Sequence, residues 1–384
     1  MPRMDFELSE DQSALQEAAS ALLEDMSQVS RVREVSSSDS RLDEKLWRAM
    51  ADQGWLAVER SEEDGGLGMG MVEVVVLAEA VGRHLAAVPF SGTLLAAGAL
   101  SEAVSSGEVG RGETLGDKTV EQHLESLSNA QEVGAIAWAK PASARVPRAT
   151  PDADGGWRLS GRIGPVVYGP AAHVLVVFAE SAGDGGSPFA LALEDRERPP
   201  PQPAMDVTRT LSWVELDRAR AIRLGGSAAA ASLLDRAATI CSAEMLGAAS
   251  RVLEMTVDYA KTRVQFGRPI GSFQAVKHRC ADMLVDVEGM RSSVYFAAWA
   301  VGACDPQAQL AASAAKVWCS DAASRVMASA LQVHGGVGFT WEHDLHLFLK
   351  RSELDQVSYG DAVFHRERLA RMLRAKVRAQ LPIL

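Results

Sequence analysis

The sequence predicts an α+β protein: a helical segment, then a small β domain, then a helical bundle. Two patterns predict it. Apolar residues recur at three- and four-residue spacing toward both ends of the chain; Leu246, Ala249, Leu253, Val257 and Ala260, for example, fall on one helix face. Between these stretches lie short apolar or alternating runs bounded by glycine and proline, which is how strands read.

Residues 1–122 form the first domain on this reading. Ser9, with Gln12 three positions on, makes a capping-box pattern that opens a helix. A second helix is expected over 42–53, stopped by Gly54. A third is expected over 71–85, with Val72, Val75, Val76, Ala80 and Leu85 available to an apolar face. Residues 123–218 change character. Gly155-Gly156 marks a turn, a strand starts at Trp157, and the runs 174–178, 189–193 and 212–216 supply further strands around a proline-rich loop at 199–203. Residues 219–384 return to helix from about Ser227, with long helices over 274–301 and 306–333. These are too apolar to stand alone and pack together as a bundle.

Composition removes several function classes. Lys and Arg number 39 against 50 Asp and Glu, a net charge of −11. That acidity disfavours nucleic acid and anionic membranes as partners. No run approaches the roughly 18 apolar residues of a membrane helix, and the first residues lack the apolar core of a secretory signal. The four cysteines, Cys241, Cys280, Cys304 and Cys319, show no CxxC or zinc-like spacing. They read as buried, reduced thiols of a cytoplasmic protein.

Two segments carry candidate chemistry. The first is Arg263-Val264-Gln265-Phe266-Gly267-Arg268-Pro269-Ile270-Gly271-Ser272-Phe273-Gln274, between two predicted helices. Arg263 and Arg268 suit phosphate oxygens, and Gln274 can hydrogen-bond a ligand from the start of the next helix. The same residues also describe an ordinary helix–helix loop with solvated arginines. The second is Gln332-Val333-His334-Gly335-Gly336-Val337-Gly338-Phe339-Thr340-Trp341-Glu342-His343-Asp344-Leu345. Its paired glycines permit close backbone approach to a pyrophosphate, or they simply cap a helix. His343 and His346, three apart on an expected helix, lack a third ligand, so no metal site is expected. Gly66, Gly68 and Gly70 do not form a dinucleotide fingerprint, since no strand precedes them.

These two segments, with Ala281-Asp282-Met283 between them, resemble the C-terminal domain of acyl-CoA dehydrogenases. The stretches Leu46-Trp47 to Gly54-Trp55-Leu56 and Glu62-Glu63-Asp64-Gly65-Gly66-Leu67-Gly68 are similar to that family's N-terminal helices. The resemblance implies an N-terminal helical domain, a middle β-barrel-like domain and a C-terminal four-helix bundle. It also implies a homo- or heterotetramer with FAD across a dimer interface. Positions matching Arg263, Phe266 and Gln274 then contact the flavin nucleotide of one site, and those matching Gln332, Gly335 and Gly336 contact its ADP portion from the neighbouring subunit. The implied reaction is α,β-dehydrogenation of an acyl-CoA thioester, in which a carboxylate takes the α-proton, flavin takes the β-hydrogen, and an electron-transfer flavoprotein reoxidises it.

The sequence departs from the family at the base. Counted without gaps from Gln332, the usual catalytic Glu falls on Tyr359, followed by Gly360; Asp361 stands two residues further on. A tyrosine, with an ordinary pKa of about 10, is a poor base for this step. The alternative base position, on the first helix of the C-terminal domain, falls on Ala237. Glu244 shares its helix face about two turns away in an apolar stretch, where a carboxylate tends toward a raised pKa. It equally suits a buried ion pair. In the middle domain, Trp138-Ala139-Lys140-Pro141-Ala142-Ser143-Ala144 and Gly161-Arg162-Ile163-Gly164-Pro165 stand where the family's flavin-covering segments differ. Three functions follow: a self-sufficient dehydrogenase using Glu244 or Asp361; the FAD-supporting subunit of an α2β2 dehydrogenase for bulky acyl-CoAs, including steroid side chains; or an oxygen-using oxidase or monooxygenase on the same fold.

Overall fold

A computed structural model describes residues 8–140, 146–153, 155–181 and 184–380. In chain order the helices are α1 (Glu10–Met26), α2 (Val29–Ser36), α3 (Glu44–Asp52), α4 (Met71–Arg83), α5 (Phe90–Ser105), α6 (Val120–Ser128), α7 (Ser227–Thr262), α8 (Gln274–Gly302), α9 (Ala308–His334), α10 (Leu345–Val357) and α11 (Ala362–Arg378). The strands are β1 (Thr114–Leu115), β2 (Lys118–Thr119), β3 (Gly134–Ala137), β4 (Arg148–Pro151), β5 (Trp157–Val167), β6 (Val174–Ser181), β7 (Asp184–Ala192), β8 (Leu211–Arg223), β9 (Val264–Gln265) and β10 (Arg268–Pro269). Contacts divide the chain into two compact units. One contains Met1–Arg33, Met71–Ala86 and Ala238–Leu384; the other contains Glu34–Gly70 and Ala87–Ala237.

The first unit is helical. Ser9 caps α1, and Gln12 closes the capping box. Helix α4 is buried nearly all round, so its apolar residues form a core element rather than a single stripe. It meets α7 through two glycines. A Cβ on Gly82 would lie 2.0 Å from the Glu244 carbonyl oxygen, and one on Gly247 would lie 1.8 Å from that of Glu79. The absence of side chains is what lets these backbones touch. Nearby, Arg291 pairs with Glu79 at 2.6 Å, and the Tyr295 hydroxyl donates to the same carboxylate at 2.8 Å, so the buried charge is compensated. Helices α8 and α9 share a seam of small residues, Ala297, Ala300, Ala311 and Ala315. Helices α10 and α11 also pack on α9.

The second unit holds the sheet. Strand order β3-β6-β4-β5-β8-β7, with β6 also pairing β7, closes β4–β8 into a small barrel carrying β3 on one edge of β6. Inward residues such as Leu159, Ile163, Leu175, Val177, Phe189 and Val214 fill it. Helix α5 lies against β3, where a Cβ on Gly134 would lie 2.7 Å from that of Ala96. Helix α6 opens on a Thr119–Gln122 capping box.

The runs starting at Trp157, 174–178 and 212–216 fall within β5, β6 and β8, and the run 189–193 overlaps β7, which ends one residue earlier at Ala192. Three readings are corrected. The helix expected over 71–85 ends at Arg83 because Leu85 turns into the left-handed region, φ 50°. Cys241 and Cys319 are buried free thiols, but Cys280 is half-buried and Cys304 is exposed, in the turn that ends α8. His343 precedes α10 and is not helical. Helices α2, α5, α6, α10 and α11 and strand β3 had no clear sequence signal.

Candidate cofactor-binding site and active site

The first motif folds as a tight hairpin. Gln265 pairs with Arg268 and Val264 with Pro269, leaving Phe266-Gly267 as a two-residue turn with φ 52° and 76°. Two successive positive φ values match the twist of a hairpin, but a phenylalanine there is strained. Phe266 is also 91% exposed, touching Phe273 edge-on at 6.1 Å. The hairpin pairing imposes this backbone on Phe266, and strain together with an uncovered ring marks the residue as a candidate ligand contact. Arg263 is exposed, and Arg268 lies over the Phe273 ring at 4.2 Å. Among the described residues neither arginine has a carboxylate partner. Gln274 is the first residue of the 29-residue α8, whose cap has no side-chain hydrogen bond, so unfilled backbone donors accompany the two guanidiniums.

In the second motif the two glycines separate in role. Gly335 ends α9 with φ 62° and its N–H on the Leu331 carbonyl, so it is a helix cap. Gly336 has neither a positive φ nor a crowded Cβ position: nothing lies within 4 Å. Nothing inside the chain asks for glycine there, and the space in front of it admits a ligand's backbone-close approach. Gln332 is exposed one turn earlier on α9. Uncompensated arginines, free helix-start donors, an uncovered aromatic ring and an open glycine turn together fit a dinucleotide with a pyrophosphate. Among the described residues no group of three or more His, Cys, Asp or Glu side chains is placed to hold a metal ion.

The candidate acid–base residues have distinct settings. Tyr359 and Gly360 form the turn between α10 and α11, with φ 56° and 99°. His365 donates from Nε2 to the Tyr359 carbonyl at 3.0 Å. Burial pulls its pKa down to about 4, with nearby Lys316 and Arg368 adding to the fall, so the ring is neutral. Gly360 is required: a Cβ would sit 2.3 Å from Phe364. Asp361 is the N-cap of α11, its carboxylate accepting from the Phe364 N–H at 2.8 Å. Lys316, fully buried, donates to the carbonyls of Asp355 at 2.6 Å and Gln356 at 3.0 Å, capping the end of α10. Glu244 is 2% exposed on α7 and is not an unpartnered carboxylate. Ala237, seven residues earlier on α7, is 1% exposed. Sequence reading missed Lys316 and His365. A lone lysine in an alanine-rich helix was the only available signal, and nothing linear pairs it with 355–356.

In the barrel, Gly161-Arg162-Ile163-Gly164-Pro165 is a twice-bulged part of β5. Arg162 pairs with Glu215 at 2.8 Å and lies over Trp213 at 4.7 Å. Trp138, Ala139 and Lys140 follow β3; Pro141, Ala142, Ser143 and Ala144 lie outside the described residues.

A helical unit bearing a basic hairpin and a glycine turn, together with a unit built on a small barrel, defines a flavin-dependent dehydrogenase class. Comparison with known proteins agrees. The chain matches the family described as "Acyl-CoA dehydrogenase, N-terminal domain" over residues 9–106 and "Acyl-CoA dehydrogenase, C-terminal domain" over residues 225–374. It is 34% identical to acyl-CoA dehydrogenase IpdE2 of Mycolicibacterium smegmatis, over 90% of this chain and 93% of that protein. It superposes on a chain of the ChsE4-ChsE5 complex from Mycobacterium tuberculosis with a TM-score of 0.85 and 31% identity, covering 97% of this chain and 99% of that one. A chain of a variant of the Tcur3481-Tcur3483 steroid ACAD gives the same score and identity over 96% and 99%. The chain belongs to the acyl-CoA dehydrogenase family, oxidoreductases that act on CH–CH bonds with FAD.

Proposed function

We propose that this chain is the FAD-supporting subunit of an acyl-CoA dehydrogenase whose α-proton is taken by a carboxylate of a partner chain. The observation that carries this is the 359–361 turn. By gapless count from Gln332 the family's base position falls on Tyr359, and Asp361, the nearby carboxylate, caps α11. Bound FAD supplies the acceptor for the β-hydrogen, leaving as hydride. Arg263 and Arg268 offset the charge of its pyrophosphate, and Phe266 and Gln274 contact the nucleotide from the hairpin side. Gln332, Gly335 and Gly336 receive an ADP portion from the α9 end. Electrons then pass to an electron-transfer flavoprotein. The substrate class is a bulky acyl-CoA, supported by the similarity to a chain of the Tcur3481-Tcur3483 steroid ACAD, and the α2β2 assembly is supported by the similarity to chains of two-component complexes.

A self-sufficient enzyme is the second reading, favoured by Glu244, a buried carboxylate on the helix that also carries the family's alternative base position. Purification of the chain alone and co-purified with a candidate partner separates the two. Released flavin is counted per subunit, and bleaching of the visible flavin band is followed after adding acyl-CoAs of graded size under nitrogen. Bleaching only with the partner supports the proposal. Full bleaching by the isolated chain refutes it. Rapid oxygen consumption during turnover identifies the oxidase reading instead.

A further inference from the structure

His334 is the last residue of α9, immediately before the glycine turn, and it is only 4% exposed. Its imidazole is held from every side. Tyr259, from the last turns of α7, stacks on its face at 4.6 Å and 20°, and His343 meets it edge-on at 4.6 Å and 66°. Gly338 folds back so closely that a Cβ on it would lie 3.0 Å from that of His334. Nδ1 lies 2.8 Å from the Ala330 carbonyl and therefore carries the proton; Nε2 is a buried lone pair without a hydrogen-bond partner among the described residues. His343 Nδ1 accepts from the Leu345 N–H, so its proton sits on Nε2. The Tyr259 carbonyl in turn accepts the Arg263 N–H at 2.8 Å, one helical turn before the hairpin. The ring is thus the point where the start of the glycine turn and the end of α7 are joined.

We propose that His334 is a positioning residue for the cofactor: clamped between Tyr259 and His343, it fixes the Gly335-Gly336 turn relative to the Arg263–Arg268 hairpin. This rests on reading those segments as the FAD cradle. Beyond α9 the chain continues as a short 3-10 turn over Gly335–Phe339, whose own backbone bonds shape the turn but do not tie it to the hairpin; the His334 stack does. Neither Gly335 nor Gly336 meets a neighbour at its Cβ position that would hold it in place.

The test is the rate at which FAD leaves the purified holoprotein, or the holo-complex, on dilution, read by the rise in free-flavin fluorescence. His334→Leu keeps the volume and burial but removes the stack and the Nδ1 bond. Release about tenfold faster is expected, the size of one aromatic pair. His334→Phe restores a ring for Tyr259 and is expected to release FAD within about threefold of the parent. Tyr259→Leu is expected to match His334→Leu, and the double variant to lose no more than either single one, because both remove one interaction. Parent-like release from a folded His334→Leu protein overturns the inference while leaving the cofactor reading intact, as does failure of His334→Phe to recover retention. A parent protein that holds no FAD even after loading overturns both. If His334→Leu does not fold, Tyr259→Leu against Tyr259→Phe decides by the same readout.

Discussion

Asp361 gives the sharpest test of the active-site reading, because its two candidate roles respond oppositely to one atom change. As an N-cap, its carboxylate accepts the Phe364 N–H at 2.8 Å. Asparagine offers an equivalent oxygen and ranks equal to aspartate as a cap. Asp361→Asn is therefore expected to change stability by only a few tenths of a kcal/mol, chiefly through the lost charge at the start of α11. Asp361→Ala removes the acceptor and costs about 1 kcal/mol, no more than about 4 °C in melting temperature for a chain this large. As a general base the same residue would contribute about 10²- to 10⁴-fold to rate, and asparagine would abolish that. The assay pairs urea unfolding with single-turnover flavin bleaching by an acyl-CoA, using the partner-containing complex. Unchanged bleaching in Asp361→Asn with a small loss of stability in Asp361→Ala is expected. A fall of about 10²-fold or more in bleaching, with stability and FAD content intact, would show that Asp361 is a base as well as a cap and would refute the supporting-subunit reading.

Glu244→Gln is isosteric and is expected to leave bleaching by the complex within about threefold, whereas loss of about 10²-fold or more with FAD retained makes Glu244 the base. Gly247→Ala drives a methyl to 1.8 Å from the Glu79 carbonyl oxygen. Although alanine gains about 1 kcal/mol in helix propensity, overpacking dominates, and a net loss of about 2 kcal/mol is expected; an unchanged or raised urea midpoint contradicts the tight α4–α7 contact. His123 Nδ1 lies 2.7 Å from the Glu132 carboxylate and Nε2 2.8 Å from the Leu115 carbonyl, so two acceptors face one ring. Burial pulls its pKa down, but these two bonds outweigh it and leave it above the ordinary 6.5. Burial likewise pushes Glu132 up, but His123 and Lys118 bring it below 4.5. The histidine's contribution is full below pH 6.5 and fades as pH climbs through its raised pKa; the glutamate's is full above pH 4.5 and fades as pH falls through its lowered one. The stability gap between the parent and His123→Gln is therefore expected to be largest near pH 5–6 and to shrink toward pH 9, and a gap that widens with pH counts against a charged His123–Glu132 pair.

Much of this protein was decided by short-range physics that a linear reading can see. The Ser9 cap, the strand runs around Val174–Phe178 and the helix beginning at Gln274 depend on neighbours within a few residues, and they fall where the sequence places them. The hairpin and glycine segments were also legible as turns, because glycine and proline punctuate them. Whether Gly335-Gly336 was a cap or a cradle was not legible: only the folded chain shows that Gly335 serves the helix while Gly336 faces open space. The same holds for Asp361, whose cap role requires knowing that α11 starts at Ala362. Lys316 holding the end of α10 and His365 holding the Tyr359 carbonyl join residues that no local pattern pairs. Tyr259 and His334 stack across 75 positions of chain, which only the packing of α7 beside α9 can bring about. Sequence determines which groups are present and how each element begins and ends. Which group faces which depends on long-range packing, since a side chain's partners are set by the surfaces its element buries.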